Sequence, residues 1–173
     1  GLDNIPKNKA FIVASNHASY FDDLAIPSII LPLLNKKLHM YVNSRFFKNY
    51  FIKKFLYWGG SIPVDVVKTK YSKKVNTKAF NLALSYLRKK EPIGIFPEGH
   101  RSIDGKLQKA KTGVAKLALT AKVPVLPIGI INSYKILPKG KAFPRFKKCV
   151  IINIGKPIYL DKYYGKINKN NLR

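Results

Sequence analysis

Apolar residues along this chain fall into two kinds of run. Short apolar runs at residues 11–15, 38–42, 62–67, 93–96, 123–130 and 150–155 end in turn-forming or polar residues and predict strands. Pro63 marks the third of these as an edge strand or a strand start. The second kind repeats at three- and four-residue intervals. Residues 23–34 predict an apolar helix broken by Pro27 and Pro32. Across residues 72–90, Val75, Ala79, Leu82, Ala83, Tyr86 and Leu87 share one helical face, and Glu91-Pro92 ends it. Val114, Leu117, Ala118 and Ala121 mark a further helix. Strand alternating with helix predicts an α/β fold with a largely parallel sheet. With no internal repeat and no low-complexity linker, residues 1–173 read as one domain whose polar end after Tyr163 frays.

One segment fits two structures. Phe47, Phe51, Phe55 and Trp58 recur at helical spacing among Arg45, Lys48, Lys53 and Lys54. An aromatic stripe of this kind packs into a core, or it lies in a lipid interface with basic residues beside it. Only its exposure distinguishes the two.

Charge sharpens the picture. Basic residues outnumber acidic ones by 33 to 8, a formal charge of +25, while 46% of residues are apolar. The apolar share requires a folded core, and the charge attracts polyanions: nucleic acid, anionic headgroups or an acidic carrier protein. The lysines are spread along the chain without a helix-turn-helix, zinc or aromatic RNA-binding signature, which speaks against specific nucleic-acid recognition. Cys149, the single cysteine, excludes an internal disulfide and a cysteine-rich zinc site. It opens an apolar run and reads as a buried structural thiol. No stretch reaches the roughly 20 apolar residues of a spanning helix, and none reads as a signal peptide. Opening on Gly1 rather than Met leaves room for flanking segments.

Candidate chemistry sits just past two strands, where open α/β sheets bind ligands. His17 follows the first strand in Asn16-His17-Ala18-Ser19-Tyr20-Phe21-Asp22. An imidazole there can take a proton from a hydroxyl near neutral pH, and a carboxylate on its other nitrogen would fix the tautomer. Five positions do not share a helical face, so a His17–Asp22 pair needs a bend, which Ser19 and Asp22-Asp23 can supply as helix-entry residues. Taken alone, this segment is more often a plain helix cap beside an incidental histidine. Phe96-Pro97-Glu98-Gly99-His100-Arg101-Ser102 follows a later strand. Its Pro and Gly force a tight turn, Arg101 offers a planar fork for phosphate, and Glu98 can orient that arginine or hold a hydroxyl. His39 lies in an apolar strand and reads as structural.

Taken together, NHASYFD and FPEGHRS resemble the first and third signature blocks of the glycerolipid acyltransferase family, typified by 1-acylglycerol-3-phosphate acyltransferases. GSIPVD at 60–65 and VPVLPIG at 123–129 resemble the second and fourth, in family order. The resemblance runs from about Ile5 to Ile158. It implies a mixed, mostly parallel sheet flanked by helices. It implies direct transfer of a fatty acyl group from a thioester to the hydroxyl of lysophosphatidic acid, with glycerol 3-phosphate or another lyso-lipid as alternative acceptors. His17 would be the base and Asp22 its orienter, while Glu98, Gly99 and Arg101 would form the acceptor block. No metal and no tightly bound cofactor are implied. The thioester is acyl-CoA or acyl carrier protein, and the enzyme works at an anionic membrane surface, peripheral or anchored on the cytoplasmic face.

Two positions depart from the family pattern. Val66 stands where the second block usually carries Arg, which leaves Lys68 or Lys70 as the candidate phosphate ligand there. His100 stands where Ser or Thr is common and reads as a neutral variant.

Overall fold

Ile12 and Val13 are adjacent in sequence and buried in two different apolar clusters, one on each face of a single sheet. The computed structural model describes residues 1–67, 69–137, 143, 145 and 150–164. Among these, six strands form the sheet: β1 (Ile12–Ser15), β2 (His39–Asn43), β3 (Ile62–Val64), β4 (Ile93–Ile95), β5 (Val125–Ile131) and β6 (Ile151–Ile154). Their order is β3-β2-β4-β1-β5-β6. The first five are parallel, with Ile12 level with Ile93 on one side and Val125 on the other. β6 runs antiparallel to β5 and closes one edge. The α/β, mixed and mostly parallel architecture expected above is therefore the one found.

Helices cover both faces, as parallel strands buried on two sides require. On one face α1 (Asp22–Ile30) sets Ile26 and Ile30 against Val13, Met40, Leu126 and Ile128. On the other, α3 (Ser72–Arg88) brings Ala79, Ala83 and Leu87, and α4 (Gly113–Ala121) brings Val114, Leu117 and Ala118, against Ile12, Ile62, Ile93 and Val125. The small alanines of α3 let that helix approach the sheet closely. Leu82, expected on the same face, is instead exposed.

Several boundaries moved for local reasons. α1 stops at Ile30 and continues as a 3-10 turn over Leu31–Leu33, where Pro32 cannot donate to the ladder. β3 ends at Val64 because Asn76 captures both backbone groups of Asp65, at 2.8 and 2.9 Å. Pro63 sits on this edge strand, as expected.

The aromatic segment is not one helix from Arg45. A 3-10 turn over Ser44–Lys48 precedes extended Asn49, whose side chain caps α2 (Tyr50–Trp58) by accepting from the Phe51 and Ile52 N–H groups. Its stripe faces outward: Phe51 is 79%, Phe55 63% and Trp58 77% exposed. The core reading of that stripe is thereby excluded. A short α5 (Ser133–Ile136) follows β5. Among the described residues no helix is long and apolar enough to cross a membrane. Lys68 and Cys149 lie outside the described residues, as does the chain beyond Tyr164.

Candidate active site

Asn16 extends β1 beyond its last regular pair. Its side-chain amide donates to the Ile130 carbonyl at 2.9 Å and accepts from the Ile130 N–H at 2.7 Å, copying a backbone pairing with β5. The chain then turns sharply, and the turn is built around the Asp22 carboxylate. One oxygen of Asp22 accepts from Ala18 N–H and Ser19 N–H, both at 2.8 Å, and faces His17 Nδ1 at 3.1 Å. Ser19 is local structure: its hydroxyl accepts from Phe21 N–H and donates to the Leu137 carbonyl. The bend that a His–Asp pair five positions apart requires is thus supplied by the acid itself.

Asp22 is completely buried, whereas His17 reaches the surface of a cleft of about 590 Å³. With Nδ1–H donating to the carboxylate, Nε2 is the nitrogen left to take a proton. The imidazole stacks on Phe96, ring centroids 3.9 Å apart, which fixes its plane. Below it, the Ser102 N–H donates to the His17 carbonyl at 2.7 Å, tying the β1 loop to the β4 loop.

Glu98 corrects an expectation. It does not meet Arg101 and does not line the cleft. It is 2% exposed, and its Oε1 accepts from the His17 backbone N–H at 3.2 Å. Burial pushes its carboxyl above the ordinary value, opposed by the N–H groups of His17 and Gln108. Glu98 is therefore placed to hold His17 rather than substrate. Gly99 lines the cleft with φ +72°, the left-handed conformation that favours glycine, and a Cβ there would lie 2.8 Å from Lys111 Nζ.

Arg101 lines the cleft with its guanidinium 3.5 Å from the centroid of the Tyr20 ring. Val66 presents an apolar side chain to the same space, and His100 lies at its rim. His39 is structural as expected, buried between the Gly60 carbonyl and the Glu91 carboxylate and stacked on Tyr86.

Sequence reasoning missed three groups here. Asp23 lines the cleft beside His17, and burial raises its pKa to about 6, with His17 and Arg101 opposing and Asp22 adding to the rise. Tyr20 and Arg45 also line it, and the Arg45 guanidinium donates to the Tyr20 hydroxyl at 3.1 Å. The available signal was position: Arg45 lies two residues past the carboxyl end of β2, on the edge of the sheet where His17 and Arg101 stand. Val42, Val64, Phe80, Ile95 and Val114 give the cleft an apolar wall.

Residues 1–131 match the family model described as Acyltransferase. The chain belongs to that family. It is 26% identical over 163 residues to a chloroplastic 1-acyl-sn-glycerol-3-phosphate acyltransferase of Brassica napus, covering 94% of this chain and 45% of the plant protein. It is 26% identical over 140 residues to the 1-acyl-sn-glycerol-3-phosphate acyltransferase of Bacillus subtilis, covering 80% of this chain and 66% of that one. Its fold matches the crystal structure of the 1-acyl-sn-glycerophosphate acyltransferase PlsC from Thermotoga maritima with a TM-score of 0.71 and 28% identity, over 99% of this chain and 64% of the Thermotoga chain. It thus spans roughly half to two thirds of the length of these relatives.

Proposed function

We propose that the chain is a single acyltransferase domain that moves a fatty acyl group from a thioester to the hydroxyl of lysophosphatidic acid, giving phosphatidic acid. The observation that carries this reading is the His17 imidazole, cleft-facing and held through Nδ1 by buried Asp22, in the same cleft as Arg101. The names of the relatives described above agree with it.

In this reading Nε2 of His17 takes the acceptor's hydroxyl proton while the oxygen attacks the thioester carbonyl carbon. The tetrahedral intermediate collapses with loss of the C–S bond, and the thiolate leaves as the thiol with the proton returned from the imidazolium. Asp22 stabilises the imidazolium as it forms. Arg101 and the turn at Gly99 hold the acceptor phosphate, and Glu98 positions His17 through its backbone. The apolar wall accommodates acyl chain. The donor is acyl-CoA or acyl carrier protein, both anionic and suited to a basic surface.

The enzyme works on the cytoplasmic face of an anionic membrane, through the outward face of α2. Phe51, Phe55 and Trp58 are exposed there with Lys53 and Lys54, and Arg45 and Phe46 of the preceding turn line the cleft mouth.

Transfer from a labelled acyl thioester to lysophosphatidic acid tests the chemistry, with glycerol 3-phosphate in parallel to discriminate acceptors. His17→Ala should lose about 100- to 10,000-fold in kcat while keeping its circular dichroism spectrum. Equal rates in both proteins would remove His17 from the mechanism.

A further inference from the structure

Tyr20 stands between two cations. The Arg101 guanidinium lies over its ring face at 3.5 Å, and Arg45 Nη2 donates to its hydroxyl at 3.1 Å. Phe46 packs edge-on against the same ring at 5.9 Å, and the Arg45 guanidinium lies 4.8 Å from the Phe46 centroid. The Arg45 backbone is also fixed, because the Asn43 side chain at the end of β2 accepts its N–H at 3.0 Å. Three separate segments therefore deliver two guanidinium groups to one cleft wall, one phenol ring apart.

Among the described residues the ion pairs are His17–Asp22, His39–Glu91 and Lys106–Asp104, and neither arginine takes part in one. Two acids share the cleft. Asp65 accepts the Ser44 hydroxyl, and Asp23 lies close enough to Arg101 to feel its charge. Neither forms a salt bridge with Arg45. Two like charges this close repel each other; Asp23 offsets part of the Arg101 charge without forming a salt bridge, while the direct contacts of the two guanidinium groups are a ring face and a phenol oxygen, both weak counterparts to a full positive charge. A dianion at the edge of the Tyr20 ring would offer both forks a stronger counterpart.

We propose that Arg45 and Arg101, set on either side of Tyr20, form a two-arginine clamp for a phosphomonoester dianion, and that Arg45 gives the enzyme its preference for monoester over phosphodiester lyso-lipids. The proposal rests on the reading of Arg101 as the phosphate ligand. A monoester carries about −1.5 to −2 charge at pH 7 and three terminal oxygens, enough for two guanidinium groups. A diester carries one charge and has a second esterified oxygen, so Arg101 alone satisfies it. The position in the second block where an arginine was expected holds Val66, which brings no charge to this cleft. Arg45 supplies the second fork from the end of β2 instead.

The test uses short-chain lysophosphatidic acid and short-chain lysophosphatidylglycerol below their aggregation concentrations, so that membrane docking plays no part. The diester is read as a substrate or, where it is not turned over, as a competitive inhibitor. Arg45→Gln should raise KM for the monoester about 10- to 100-fold, leave kcat nearly unchanged, and barely alter the diester constant. Tyr20→Phe, which keeps the ring and removes the hydroxyl, should reproduce part of that loss. Equal effects of Arg45→Gln on both lipids, or no effect on either, overturns the clamp. Arg101→Gln separates the two levels. Unchanged constants for both lipids in that variant would defeat the underlying phosphate reading, whereas a loss there with Arg45→Gln neutral would defeat the clamp alone. Arg45 is exposed, so its variant should melt as the wild type does, and the melting curve checks this.

Discussion

A single oxygen of Asp22 faces three donors, two from the backbone and one from the imidazole. Folding the loop and orienting the histidine are thus one interaction, and the acid is buried because the loop closes over it. Its neighbour Asp23 behaves differently. Burial lifts its pKa from 3.8 to about 6. Between those values the folded protein binds a proton that the unfolded chain has released. The resulting stability is present in full below about pH 4 and is lost as pH rises through about 6. Asp23→Asn should therefore be more stable than wild type at pH 7.5 by about 1–2 kcal/mol, after allowance for partial solvent access, and the gain should vanish near pH 4. Urea melts of both proteins across that range check it; a difference that does not change with pH would refute the assignment. His17, Asp22, Gly99 and Arg101 could all be singled out from short local blocks. Tyr20 and Arg45 could not, because their contact joins positions 25 residues apart in sequence and depends on the order of the strands.

At the scale of elements, α2 is the informative one. Its spacing was legible, but spacing describes a stripe without saying which way it faces. The structure turns it outward because Asn49 breaks the chain between the 3-10 turn and α2. Phe47 falls before this break and packs against Tyr57 at 5.1 Å instead of continuing the stripe. Since Phe51, Phe55 and Trp58 contribute little to the core, replacing all three with Ser should shift folding stability by no more than about 0.5 kcal/mol per site. The same variant should lose most of its cosedimentation with vesicles containing phosphatidylglycerol, where each basic neighbour adds about 1 kcal/mol. Undiminished binding would mean that another surface docks. The Asn16 latch on Ile130 shows a different limit of sequence reading. An Asn before a His looks like part of a chemical motif, and its two hydrogen bonds instead lengthen the β1–β5 pairing that carries His17.

Across the whole molecule the formal charge is +25, and the proposed substrates are all anions. A field of that sign raises their encounter rate, and salt screens it over roughly 8–10 Å at physiological strength. Raising NaCl from about 0.02 M to about 0.5 M should lower kcat/KM for the soluble acceptor about tenfold while kcat at saturation changes little. A salt-independent kcat/KM would show that the surplus lysines are only solvated surface.

Apolar periodicity determined the alternation of strands and helices, because burial on a sheet face or helix stripe requires those spacings. The signature blocks likewise determined which residues follow the strands. The facing of α2, the inward turn of Glu98 and the meeting of Arg45 with Tyr20 were decided only by the tertiary structure. Each depends on which strands lie side by side and on where a break redirects the chain. A linear pattern of residue types records neither, since both arise from packing between segments far apart in sequence.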